Sequence, residues 1–282
     1  MSNFEEFRAD LHCHSTCSDG SSSPEELVFL AKKRGLKGLS ITDHDTIDAY
    51  SKIHEAVEQT GLEIITGVEF SAFHQGKSVH VLAYGFRLDD PCIIALCKRH
   101  EKRRKSRILK MLDKLQELGI NISEKELFES AGSNVSSIGR PHIANVLIQK
   151  GKASSVKDAF QKFLGNGKKA FVAGDQISVV DTLQAIHQAK ALAVIAHPHL
   201  IFERSLFNSL LSLNFDGLEV FYANMPRSKE ANFYDIATKK KWLMTGGSDF
   251  HGENKPEIQL GASYVKEEGF RSLQRNLDEL SR

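Results

Sequence analysis

The chain has 282 residues, 41% of them hydrophobic, and a formal net charge of +1. That length suits one large α/β domain or two smaller ones, and the near-neutral charge excludes a globally basic surface, so any anion-binding patch is local. No run approaches the ~18 apolar residues of a membrane span, and the acidic opening stretch has no apolar core of a signal peptide. Cys13, Cys17, Cys92 and Cys97 show neither C-x-x-C nor zinc-finger spacing and read as reduced thiols of a cytoplasmic protein.

In chain order, residues 7–11 predict a short strand that ends in His12 and His14. Ser23-Pro24-Glu25-Glu26 opens a helix, with Ser23 as cap, Pro24 in the first turn and Glu26 completing a capping box. Gly35 ends it, residues 36–42 form a buried strand, and Asp43-His44-Asp45 follows. A helix over 46–60 closes at Gly61, a strand over 63–68 leads to Glu69, and a strand over 79–84 contains His80. Past Pro91 one long helix covers about 92–118, with eight Lys and Arg residues between Lys98 and Lys110. That run could steer a phosphate chain, but without aromatic interleaving it reads as a solvated helix face. Short helices follow after Ser123, after Gly139-Arg140-Pro141-His142 and over 156–163, then a basic Gly-rich loop at 165–169. Alternation returns with helix 179–190, strand 192–196 ending at His197-Pro198-His199, helix 203–213, strand 217–221, helix 226–240, strand 242–246 ending at Ser248-Asp249-Phe250-His251, and a last helix.

Seven strands, most followed by a helix, argue for parallel βα units. The all-helical stretch 99–171 interrupts them, giving three segments: 1–98, a helical insertion over 99–171, and 172–282. His12 and His14, two apart on an extended end, point to one face and can chelate a divalent metal. On their own they could equally be two polar residues at a strand end. Their company changes the reading: Asp19, His44, Glu69, His80, His197, Asp249 and His251 each sit at or near a strand end or in the loop after it. In a parallel barrel those ends converge on one rim. His54, His74, His100 and His187 fall on helices or loops and read as solvated or structural. Imidazole and carboxylate without thiolate suit manganese, zinc or iron(II). Nine ligands exceed one ion's needs, so two to three divalent ions are expected, with Glu69 as the natural bridge.

The segments Ala9-Asp10-Leu11-His12-Cys13-His14-Ser15, Ser18-Asp19-Gly20, Thr42-Asp43-His44-Asp45, Gly67-Val68-Glu69, His80, Ala196-His197-Pro198 and Ser248-Asp249-Phe250-His251 resemble the signature motifs of the PHP (polymerase and histidinol phosphatase) family. They occur in order across about 8–90 and 172–265. The resemblance implies a distorted seven-stranded βα barrel with the nested helical insertion. It assigns His12, His14, Glu69 and Asp249 to one ion, Glu69, His80 and His197 to a second, and Asp19, His44 and His251 to a third. Asp10, Asp43 and Asp45 would orient the histidines, and His199 would stand at the rim. The insertion and Arg140-Pro141-His142 resemble the PHP phosphoesterases that take phosphate from nucleotides. Members of that branch act on 3′,5′-nucleoside bisphosphates, and some degrade short RNA from the 5′ end. There Arg140 and His142 would contact a substrate phosphate, which suits a forked guanidinium at a helix start. Lys168 and Tyr222 are further candidates for substrate contact. The expected reaction is phosphoester hydrolysis by metal-activated hydroxide, manganese being the first expectation and zinc or iron the alternatives, on a nucleotide or short oligoribonucleotide. Histidinol-phosphate phosphatase and a non-catalytic metal-stabilised PHP module are the rival readings; the insertion argues against the first and the full set of ligand positions against the second.

Overall fold

The protein was analysed as a computed structural model, which describes residues 6–132, 135 and 137–281. The expectation about the opening stretch falls largely on residues 1–5, outside the described residues. Two sheets form the frame. The first, in spatial order β3-β2-β1-β9, combines β1 (Arg8–Cys13), β2 (Gly38–Ile41), β3 (Glu63–Ile64) and β9 (Val265–Lys266). The second runs β4-β5-β6-β7-β8, from β4 (Gly67–His74) and β5 (Lys77–Tyr84) through β6 (Leu192–Ile195) and β7 (Gly217–Tyr222) to β8 (Leu243–Gly247).

This differs from a uniform parallel series. β4 and β5 form an antiparallel hairpin across the tight turn at Gln75-Gly76, β6 runs antiparallel to β5, and β9 runs antiparallel to β1. The strand expected over 63–68 is two strands in different sheets: Glu63–Ile64 pairs with β2, and the chain then crosses over to start β4 at Gly67. The β-period alone could not show this break, because the apolar run resumes at Val68 with only Thr66 and Gly67 between. The sheets meet at two joints, each sealed by a glycine. A Cβ at Gly67 would lie 2.2 Å from Ser40 Oγ, and one at Gly247 would lie 2.4 Å from the backbone N of His12. At the first joint His44 bridges to Glu69; at the second Cys13 bridges to Phe250, and Asp249 N donates to His12 O at 2.7 Å. Asp10 fastens the second joint, accepting from the backbone N–H groups of His12, Ser248 and Gly261.

Between the sheets lie Leu11, Leu82, Tyr84, Val194 and Ala196, closed below by Phe270 and Leu273 of α10 (Glu267–Ser281). Helices α1 (Pro24–Lys33) and α2 (His54–Thr60) cover the first sheet; α7 (Val179–Gln188), α8 (Arg204–Leu211) and α9 (Arg227–Lys240) cover the second. The expected capping box at Ser23 and Glu26 is present on α1. Between β5 and α7 run α3 (Pro91–Glu117), α4 (Glu124–Ala131), α5 (Arg140–Gln149) and α6 (Val156–Ala159). From Ile108 to Ala170 these helices pack on an apolar cluster of their own around Met111, Leu115, Leu127, Val146 and Leu147. Among the described residues no helix is long and apolar enough to cross a membrane.

Candidate metal centre

His12 and His14 leave the end of β1 with fully buried rings. His44 follows β2, His197 follows β6, and Asp249 and His251 follow β8. Glu69 and His80 arrive differently: they lie inside β4 and β5, on the shared inward face of the hairpin. Since β5 is antiparallel, His80 enters from its strand's first half and not from a C-terminal end. Three residues here, Asp45, His197 and Asp249, hold positive φ angles of 60°, 28° and 54° without being glycine. Such backbone strain persists where surrounding bonds over-determine it.

The donor atoms converge in three overlapping groups: His12, His14, Glu69 and Asp249; His44, Glu69 and His80; His14, Asp19, His44 and His251. Glu69 lies at the hub. Its Oε2 stands 3.4, 3.2 and 3.1 Å from nitrogens of His12, His14 and His44, and its Oε1 stands 2.7 and 2.8 Å from His80 and His197. Asp249 Oδ1 is 3.4 Å from His12 Nε2 and 3.1 Å from His14 Nε2.

These contacts pass a fit test for divalent ions. His12 Nε2, His14 Nδ1 and Nε2, His44 Nδ1 and Glu69 Oε2 are buried and lack hydrogen-bond partners, so their lone pairs or N–H groups face a common point and not each other. Ligands about 2.1 Å from one ion, at angles between octahedral and tetrahedral, sit roughly 3.0–3.4 Å apart, the spacing of the 3.1–3.4 Å contacts that Glu69 Oε2 and Asp249 Oδ1 make with His12, His14 and His44. Charge leads to the same conclusion. Burial resists protonation of His14, yet Asp249 and Glu69 outweigh it and push the imidazole up to about 10. Burial opposes ionisation of Asp19, yet His44 and His251 hold it well below the usual carboxylate range. A buried set that draws protons this strongly demands positive charge, which divalent cations supply.

The supporting residues differ from expectation. Asp10 accepts only backbone N–H groups, and Asp43 accepts from Ser15 and Ser18. Asp45 binds Arg104 and the Ser71 N–H, with His100 and Arg103 close by. The carboxylate that does orient a histidine ring is Glu219, fully buried on β7, with Oε1 2.8 Å from His12 Nδ1 and Oε2 accepting from His197 N at 2.6 Å. A lone acid in an otherwise apolar strand, Gly217–Tyr222, was the one trace of it in the sequence. Lys255 was also missed; its Nζ stands 2.8 Å from both Asp249 Oδ2 and Tyr222 Oη.

Beside His44, His80 and Asp19 opens a pocket of about 130 Å³, lined by Arg103, Arg104, Arg107 and Arg140. The reading of the basic run as a solvated face is therefore corrected. Lys98, Arg99, Lys102, Lys105 and Lys110 do face solvent, but Arg103 is buried and Arg104 and Arg107 turn inward. They continue the buried stripe of Ile93, Leu96 and His100, at helical spacing, toward Ile108 and Met111. Arg104 is held by Asp45 and donates to Ser71 Oγ at 2.9 Å. Arg107 is pushed down to about 9 by burial and then by Arg140, Arg104 and Arg103; Arg140 is lowered by burial and by Arg104. No carboxylate offsets either of these two among the described residues. Arg140 packs against Phe160, 5.1 Å from its ring centre.

The other substrate candidates lie in varied places. His142 is buried and its Nδ1 accepts from Gly139 N, shaping the turn that aims Arg140. Lys168 is exposed and does not line the pocket. Tyr222 is buried and donates to Asp249 Oδ2 at 2.6 Å. His54 is exposed, His187 bonds Asp216, and His100 is buried against Phe70, away from the donor cluster. All four cysteines are free thiols.

Buried imidazoles and carboxylates converging in shared donor groups, opening onto a cationic pocket in a mixed α/β frame, define a metal-dependent phosphoester hydrolase. The particular family is equally plain: residues 10–177 match the PHP domain model, and the chain belongs to the PHP domain family. It is 34% identical over 249 residues to a 5′-3′ exoribonuclease of Haemophilus influenzae, covering 86% of this chain and 89% of that one. It is 30% identical over 261 residues to a 3′,5′-nucleoside bisphosphate phosphatase of Chromobacterium violaceum, covering 89% and 90%. Among solved structures, one described as a candidate metal-dependent phosphoesterase from Bifidobacterium adolescentis superposes with a TM-score of 0.86 at 29% identity, covering 95% of this chain and 96% of that one.

Proposed function

We propose that this chain hydrolyses the 3′-phosphate of a 3′,5′-nucleoside bisphosphate, leaving the nucleoside 5′-monophosphate, and attacks the equivalent linkage at the 5′ end of short RNA. The observation that carries this reading is the adjacency of two anion sites: the donor cluster and, sharing His44, His80 and Asp19 with it, the four-arginine pocket. A substrate with one phosphate would need only the first. The names of the exoribonuclease and bisphosphate phosphatase relatives support the same substrate class.

Two to three divalent ions, manganese first among them, would be held by His12, His14, Glu69 and Asp249, by Glu69, His80 and His197, and by Asp19, His44 and His251. When bound, such ions activate water and neutralise charge on the phosphoryl oxygens. The protein's own groups do the rest. Arg107 and Arg140 offer forked donors to the phosphate that is not cleaved and so orient the one that is, beside Arg104, whose own fork is held by Asp45 and Ser71. Glu219 fixes the His12 ring, and Tyr222 with Lys255 fixes Asp249. The balance is simple: water adds at phosphorus, the bond from phosphorus to the 3′ oxygen breaks, and that oxygen takes up a proton.

In this reading the two sheets with their joints act as one distorted seven-stranded barrel made of β1, β2 and β4–β8, in segments 1–98 and 172–282. Residues 99–171 form the insertion that covers the substrate, and the enzyme works in the cytoplasm. The test offers manganese-loaded protein adenosine 3′,5′-bisphosphate, histidinol phosphate and a short 5′-phosphorylated RNA. Release of 3′-phosphate and 5′-mononucleotides is expected. Preference for histidinol phosphate, or no turnover with metals demonstrably bound, would sink the proposal.

A further inference from the structure

Resting on that reading, the fold also provides for what lies on the far side of the scissile phosphate. The arginine pocket is small, about 130 Å³, and none of His197, His199, Tyr222 or Lys255 lines it. With a 5′-phosphate seated there and the next phosphate over the donor cluster, a further nucleotide can leave on the side of the cluster that does not line the pocket, where His197 and Tyr222 stand. On that side the chain leaves β6 through His197-Pro198-His199 into an unusual surface. Phe202 is 86% exposed, the most exposed large apolar side chain among the described residues, and Leu200 beside it is 47% exposed. The ring of His199 lies 4.3 Å from that of Tyr222, whose hydroxyl reaches Asp249. Phe202 is three residues further on, so its backbone lies within about 10 Å of His199. The loop is tethered just beyond, where Glu203 pairs with Lys77 at 2.7 Å.

The surroundings are cationic. Lys255 Nζ stands 5.4 Å from the centre of the Tyr222 ring against which His199 packs, and Arg204 at the start of α8 and Arg227 and Lys229 in the first turn of α9, which follows β7, face solvent. An exposed aromatic ring flanked by cations, next to a phosphate-cutting centre, has the makings of a single-strand nucleic-acid platform, where bases stack and cations follow the backbone. We propose that Phe202 stacks on the base of the nucleotide 3′ of the scissile phosphate, and that Lys229 and Arg227 hold that nucleotide's backbone. Phe202 is then a specificity residue for oligoribonucleotides over mononucleotides. The 5′-mononucleotide is then the unit released, the small pocket taking one terminal phosphate and the rim beside Phe202 taking the rest of the chain.

The test compares wild type, Phe202→Ala and Phe202→Trp on adenosine 3′,5′-bisphosphate and on 5′-phosphorylated penta-adenylate, both with manganese. Because Phe202 is exposed, neither substitution disturbs the core. Loss of one stacking contact lowers kcat/KM for the pentamer roughly tenfold in Phe202→Ala, leaves the bisphosphate rate unchanged, and is rescued in Phe202→Trp. A matching loss in affinity is expected for a pentamer with phosphorothioate linkages, read by fluorescence anisotropy from a 3′ label. Three results would overturn the inference: equal effects on both substrates, no effect on the pentamer, or a changed oligomeric state in Phe202→Ala, which would mark a self-association surface. Wild type that cuts the bisphosphate but not the pentamer overturns this inference alone. Wild type that cuts neither overturns the nucleotide reading as well.

Discussion

The donor cluster and the arginine pocket are neighbours that share His44, His80 and Asp19, yet they are built in opposite ways. The cluster draws its ligands from three strands, β1, β4 and β5, and from the loops that follow β1 and three others, β2, β6 and β8, locked by two glycine-sealed joints. The pocket draws three of its four arginines from one face of one helix, α3, and the fourth from the start of α5. The first is rigid because backbone bridges fix it on both sides. The second is positioned by a separate apolar core between Ile108 and Ala170. The metal-ligand candidates thus sit on the sheet frame, and the arginines proposed to hold the second phosphate sit on a helical segment that has a core of its own but is tied to the frame through Arg104, Asp45 and Ser71.

The largest effect should come from the hub. Glu69→Gln removes the charge that faces five imidazole nitrogens. Metal content measured by elemental analysis should fall by at least one ion, and kcat/KM by about 10³-fold or more. A variant with full metal content and near-normal turnover would remove Glu69 from the centre of this scheme.

Next comes the joint. Burial pushes the Asp10 carboxyl up to about 6, against the pull of the Ser248, Gly261 and His12 N–H groups. An unfolded Asp titrates near 3.9, so the folded protein binds this proton more tightly than the unfolded chain. The resulting stability is fully present below about pH 3.9 and is lost as pH rises through about 6. Asp10→Asn has no such proton. The stability of wild type relative to the variant should therefore decline by up to about 3 kcal/mol between pH 4 and pH 7. Urea unfolding of the metal-free proteins at both values measures it, and pH-independent differences would contradict it.

The comparison sharpens on the helical side with Arg140→Ala. Losing a charged donor of this kind costs about 1.5–3 kcal/mol, so KM for adenosine 3′,5′-bisphosphate should rise roughly 10- to 100-fold. Metal content and the turnover of p-nitrophenyl phosphate, which has no second phosphate, should stay level. Loss of metal in this variant would show that the two regions are not separable in the way described.

The same contrast explains what could be read from sequence. Of the nine candidate ligands, eight fall into the convergent donor groups and His197 meets them only through Glu69; they could be picked out because strand ends are short, their residue types are chemically narrow, and each motif carries its own turn. The helices were legible from caps such as Ser23 with Glu26 and from Pro91 and Pro141 at helix starts. The crossover between Ile64 and Gly67 was not, because leaving one sheet for another changes neither composition nor period. The inward arginines were hidden for a different reason. A guanidinium at a buried helical position looks like its exposed neighbours until the buried stripe of Ile93, Leu96 and His100 is extended through it.

Glu219 tests the smallest and most specific part of this argument. It lies in an apolar strand, Gly217–Tyr222, where a lone acid has no motif to announce it. Yet one oxygen holds the His12 ring at 2.8 Å and the other holds the strained His197 backbone at 2.6 Å. Glu219→Gln keeps an oxygen for one of these bonds and sets an NH₂ group against the other. If the amide oxygen stays on His12, the amide nitrogen faces the His197 N–H, donor against donor. Carboxylates in this orienting position are worth about 10- to 100-fold in metal affinity or activity, and the retained oxygen places Gln at the lower end, near tenfold. Manganese titration by calorimetry should show that loss with a folded, fully buried core. Unchanged affinity would mean that the strand ends alone hold the histidines, and that the frame needs no carboxylate behind them.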